Sequence, residues 1–118
     1  MRVARGQIWR AMVPYNDDPA EAKRRPVLVL GFSAHGPNED SVILVAPITS
    51  FGDGGRPRNG DVALLNWRQF GLDHGSYVRA RRIWGADPKV FDQQRGCLGS
   101  VSEDVLSQVL TEIMPFFS

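Results

Sequence analysis

With one cysteine, Cys97, the chain has no internal disulfide to staple it, and two histidines beside a single thiol are too few for a Cys/His structural zinc site. No apolar run approaches the ~18 residues that a membrane-spanning helix needs. The opening Met1-Arg2-Val3-Ala4-Arg5-Gly6 has no apolar core of a secretory leader, so the expectation is a cytoplasmic protein with no membrane partner. Net charge is nearly absent too: 14 Lys and Arg against 13 Asp and Glu give +1, which does not by itself announce a nucleic-acid protein. Disorder is excluded by composition, at 42% hydrophobic and 23% charged residues. A chain of 118 residues fits one domain, here residues 1–118, able to bury about two-thirds of its unfolded surface.

The charges that are present are grouped. Basic residues gather at Lys23-Arg24-Arg25, from Arg56 to Arg58 and from Arg79 to Arg82, and acidic ones at Asp17-Asp18, Glu39-Asp40 and Glu103-Asp104. A near-neutral molecule with such blocks can carry a positive face. Gly6 to Val13 alternates aromatic and branched residues before Pro14, which predicts a first strand closed by a breaker. Pro14 to Arg24 loses all apolar periodicity and predicts a long loop. Val27-Leu28-Val29-Leu30 and Val42-Ile43-Leu44-Val45, separated by Gly36-Pro37-Asn38, predict two buried neighbouring strands. Beyond a glycine-rich tip from Gly52 to Gly60, Asp61 to Trp67 and Tyr77 to Trp84 add two more strands, separated by Gly71 to Gly75.

Short strands with frequent Gly and Pro punctuation and no crossover helix predict a mainly β fold: a small antiparallel barrel closed by one C-terminal α-helix. That helix starts at the Ser102-Glu103-Asp104 cap and repeats Val105, Leu106, Val109, Leu110 and Ile113 along one face. Pro115 is expected to stop it, leaving Phe116-Phe117-Ser118 as an apolar tail suited to a dimer contact.

Two segments can carry chemistry. Arg25, before Pro26 at the mouth of an apolar strand, presents a rigid, permanently charged fork to a phosphate, or forms an ion pair with Asp17, Asp18 or Glu21. Ala46-Pro47-Ile48-Thr49-Ser50 ends the next strand with two hydroxyls, which hold a phosphate oxygen or cap a turn. Antiparallel neighbours bring the start of one strand near the end of the other, so both segments can share one site.

The ordered set Gly6-Gln7-Ile8-Trp9, Pro14, Arg25-Pro26-Val27-Leu28-Val29-Leu30, Val45-Ala46-Pro47-Ile48-Thr49-Ser50 and Leu98-Gly99-Ser100-Val101-Ser102-Glu103-Asp104 resembles the MazF/PemK toxins of bacterial toxin–antitoxin systems. The resemblance implies an SH3-like barrel, a homodimer, and an endoribonuclease that cuts single-stranded RNA at short motifs without metal or other cofactor and is neutralised by a cognate antitoxin. It implies attack of a 2′-hydroxyl on its own phosphodiester, leaving 2′,3′-cyclic phosphate and 5′-hydroxyl ends. Arg25 and Thr49 match the family's catalytic positions. Arg25 suits the phosphorane charge, being a reluctant proton donor, and Thr49 a nonbridging oxygen. Lys23, Arg24, Ser50 and Arg81 are the expected RNA-binding residues, and no residue is assigned as general base.

Two stretches depart from the family pattern. Asn16 to Lys23 stands where a GSEQGG-like loop is usual, and Arg81-Arg82-Ile83-Trp84-Gly85 where DQIRT is. As a strand, the latter puts Arg79 and Arg81 on one face, Arg82 and Trp84 on the other, either as a binding strip or with Trp84 in the core. His35 and His74 are expected to be solvated loop residues, although His74 follows Asp73 and has the chemistry for acid–base work. Trp9 and Trp67 are expected in the core, and Cys97 as a buried or interface thiol. The apolar tail also fits a second class, CcdB-like poisons of DNA gyrase, and the altered strand a third, a lapsed enzyme that only binds RNA or antitoxin.

Overall fold

Because Val27–Leu30 and Ile43–Val45 are apolar at every position, both of their faces turn toward apolar neighbours, and each face seeds its own core in the computed structural model, which describes residues 3–15, 18–32, 42–50 and 56–117. Leu44 is only partly buried, and Val42, expected in the same buried strand, precedes Ile43 and is 46% exposed. The strands are β1 (Gln7–Tyr15), β2 (Asp18–Phe32), β3 (Ile43–Ser50), β4 (Asp61–Leu64), β5 (Ser76–Arg79), β6 (Trp84–Ala86) and β7 (Gly99–Ser100), with one helix, α1 (Glu103–Ile113). Every pairing is antiparallel, in the order β4-β5-β3-β2-β1-β7, and β6 also pairs with β3. The mainly β architecture with a C-terminal helix read from the sequence is the one observed.

Alternation sorts β2 and β3 into two faces. Leu28, Leu30, Ala46 and Ile48 pack with Ile8, Phe70, Val78 and the Leu106, Val109 and Ile113 face of α1. Val27, Val29, Ile43 and Val45 pack with Trp9, Ala11 and Phe91, where Trp9 and Phe91 meet edge to face at 6.1 Å. The Ser102 hydroxyl caps α1 by accepting from the Val105 amide at 3.3 Å, with Glu103 and Asp104 in the first turn, as expected of that sequence. The α-helix ends at Ile113, but the chain continues through Pro115 as a 3-10 turn, Met114–Phe117, that leaves Phe116 65% exposed.

Several local expectations are corrected. Pro14 to Arg24 is not a long loop: β1 runs through Pro14 to Tyr15 and β2 begins at Asp18, with Tyr15 paired to Asp18. The ladder there rests on backbone pairing, which leaves no apolar alternation in the sequence, and Pro14 sits where the register shifts between Val13 and Tyr15. Asp61 to Trp67 is a strand only to Leu64, followed by a 3-10 turn over Trp67–Phe70. Tyr77 to Trp84 is broken by a 3-10 turn over Ala80–Arg82, so the alternation expected for Arg79 to Trp84 does not hold. Trp84 opens β6 and packs on the second core. Of the two alternatives for Cys97, burial within the chain is excluded: it is exposed, its thiol donating to the Gly99 carbonyl at 3.3 Å. Asp17, His35, Gly36-Pro37-Asn38 and the start of the glycine-rich tip lie outside the described residues.

Candidate active site

The pairing of β2 with β3 ends at Val27 and Pro47, beside Pro26. Neither proline has an N–H to extend the ladder, so the strands part there. Below the fork, Lys23 to Pro26 stay on β1, and Ile48 to Ser50 pair instead with Val78 to Ser76 of β5. The gap is a cavity of about 290 Å³ lined by Arg10, Lys23, Arg24, Arg25, Pro26, Ile48, Ser50, Leu72, Asp73, His74 and Ser76. Four cations thus share its wall with two hydroxyls, one carboxylate and one imidazole.

Of the residues singled out in the sequence, Lys23, Arg24, Arg25 and Ser50 line this cavity and are brought together. Ser50 faces Ser76 across the β3–β5 pair. Thr49 takes the other side of β3, opposite Tyr77. It is 8% exposed and outside the cavity wall, and its Oγ1 accepts from Arg79 Nε at 3.3 Å. Arg79 also donates to the Tyr77 hydroxyl at 3.1 Å and lies 3.8 Å from the Asp61 carboxylate. The Thr49 hydroxyl is therefore held in a polar cluster on β3, β4 and β5. Arg81 stands apart from the cavity: it pairs with Glu112 of α1 at 3.4 Å and covers the Phe116 ring at 5.7 Å.

The structure adds residues that sequence reasoning passed over. Arg10, opposite Pro26 on β1, contributes a guanidinium whose Nε is buried without a hydrogen-bond partner. As a lone charge inside an aromatic and branched strand, it was the available signal. Asp92 was not legible, because it arrives from a distant turn. Its amide donates to the Arg10 carbonyl at 2.8 Å and its carboxylate accepts from Arg24 at 2.8 Å, so Arg24 is held beside the cavity by an ion pair. The backbone amide of Arg95, and then Arg24, hold the Asp92 carboxyl below the usual carboxylate range, against the opposing effect of desolvation.

A carboxyl depressed in the folded state adds stability above its unfolded pKa of about 4 and loses it as pH falls through the lower folded value. Asp92→Asn is expected to lower the urea midpoint at pH 6, and the gap from the parent protein to close as pH drops below about 4. A gap independent of pH would mean that Asp92 acts by packing alone.

A family profile described as PemK-like, MazF-like toxin of type II toxin–antitoxin system matches residues 4–117. No relative among curated proteins matches. Among solved structures, a MazE-MazF complex from Deinococcus radiodurans is similar with a TM-score of 0.68 and 20% identity, covering 100% of this chain and 97% of that one. MazF from the same organism gives 0.65 and 20%, covering 99% and 97%. An endoribonuclease in complex with its cognate antitoxin from a Mycobacterial species gives 0.63 and 19%, covering 96% and 92%.

Proposed function

The chain belongs to the PemK-like, MazF-like toxins of type II toxin–antitoxin systems, and from that premise we propose that it is an endoribonuclease that cleaves single-stranded RNA at short motifs by transesterification, without a metal. The observation that carries the reading is the gathering of Arg10, Lys23, Arg24, Arg25 and Ser50 where β2 and β3 part. A phosphodiester entering there meets fixed cations, and Arg25 offers a charged fork to the two nonbridging oxygens as negative charge builds on phosphorus. Lys23 and Arg24 hold flanking phosphates, and Arg81, which pairs with Glu112 outside the cavity, contacts a more distant part of the strand.

The end of β3 supplies the hydroxyl. Ser50 reaches the cavity wall, while Thr49, at the position matching the family's catalytic threonine, has its oxygen engaged by Arg79 and keeps its own O–H to donate. Two copies pairing through the exposed apolar tail at Met114 and Phe116, 65% exposed each, form the active homodimer. The partner that silences it is an antitoxin with an acidic segment that folds over the basic cavity, in keeping with the antitoxin complexes formed by similar folds.

The test is end mapping of RNA fragments produced in the presence of a chelator. Cuts at a recurring short motif, with 2′,3′-cyclic phosphate and 5′-hydroxyl ends, are expected. RNA left intact, or cut only when a metal is restored, rejects the reading. Ser50→Ala and Thr49→Ala in the same assay separate the two hydroxyls, the larger loss marking the one that meets the phosphate.

A further inference from the structure

Attack by a 2′-hydroxyl requires a group that removes its proton, and neither a guanidinium nor an aliphatic alcohol does so readily at neutral pH. In the cavity wall Arg10, Lys23, Arg24 and Arg25 are cations and Ser50 and Ser76 are alcohols, which leaves Asp73 and His74. We propose that His74 is the general base of this site, an inference that rests on the RNA-cleaving reading above. Imidazole is the side chain suited to exchanging protons between about pH 5 and 8.

The backbone around His74 is pinned on both sides. Gly71, at φ 69°, ends the Trp67–Phe70 turn in the left-handed region open to glycine, and Leu72 then buries itself in the first core. After His74, the Ser76 hydroxyl donates to the His74 carbonyl at 2.9 Å as β5 begins. Ser76 is also the register partner of Ser50, so the loop carrying His74 is anchored to the strand end whose hydroxyl enters the cavity. The imidazole is exposed and reaches the wall from this fixed base. It shares that wall with Arg10 of β1, with Lys23, Arg24 and Arg25 of β2, and with Asp73 on its own loop. The cations hold the phosphate while the imidazole meets the 2′-hydroxyl.

In the step itself, a neutral His74 ring nitrogen takes the 2′-hydroxyl proton while the O2′ electron pair forms the O2′–P bond. The P–O5′ bond breaks with its electrons going to O5′, which is protonated from solvent. The imidazolium then returns its proton to solvent, and no water is consumed.

Cleavage of a short single-stranded RNA, followed from pH 5 to 8.5 with the parent protein, His74→Gln and Arg25→Ala, tests this. The parent rate is expected to rise with pH and level off. His74→Gln is expected to lose roughly 10²–10⁴-fold in kcat, with KM within about twofold, to lack the rising limb, and to be partly rescued by added imidazole. If His74→Gln keeps the parent rate and profile, or drops uniformly with the limb intact and no rescue, while Arg25→Ala is impaired, His74 is not the base and the nuclease reading stands. If the parent protein leaves RNA uncut at every pH, the nuclease reading and this inference fall together.

Discussion

Arg25→Ala is expected to lower RNA cleavage by about 10²–10³-fold while the far-UV spectrum and dimerisation stay those of the parent protein. The magnitude is that of removing one prearranged donor from a developing oxyanion. The structural reason to expect it here is the placement of Arg25 on the cavity wall, next to Pro26 and two residues beyond Val27, the last rung of β2 paired with β3. Arg25 is half-buried, so truncation also removes packing. Arg25→Lys separates the two effects, since it keeps the positive charge and most of the stem but loses the planar fork. Little recovery in Arg25→Lys is the expected result. Full activity in Arg25→Ala would remove the residue from the reaction.

The second large effect concerns stability. Leu28 is fully buried, lies beside Ala46 across the β2–β3 pair, and belongs to the core that α1 covers. Leu28→Ala is expected to cost about 3 kcal/mol, the lost transfer energy plus the cavity left among neighbours that relax only in part. For a domain of this size that is a fall of roughly 10–15 °C in Tm, read by thermal melting and confirmed in urea. A loss under about 1 kcal/mol would mean that this face of β2 collapses freely around the deletion.

The fold was legible wherever apolar pattern and packing coincide. β2, β3 and α1 are announced by runs and periodicities that burial alone explains. It was illegible where backbone pairing works without apolar side chains, as from Tyr15 to Arg24, and where tertiary contacts bend a continuous pattern, as at Ala80–Arg82. The site divides the same way. Lys23, Arg24, Arg25 and Ser50 flank the apolar runs of the two strands that form the fork, so their meeting follows from antiparallel pairing. That Ser50 and not Thr49 enters the cavity depends on the register against β5, fixed by Ser76 and Tyr77. His74 and Asp92 come from turns whose placement no local pattern encodes, and Arg81 is drawn to α1 by Glu112.

The two prolines at the fork carry a consequence for self-association. Where two strands part, their facing edges no longer pair with each other, and a strand edge of that kind is where a second chain anneals. Pro26 and Pro47 each withhold a donor at the top of that edge. An intruding strand would therefore gain little by zipping into the gap, which stays accessible to a nucleotide backbone while offering poor purchase to an extended peptide.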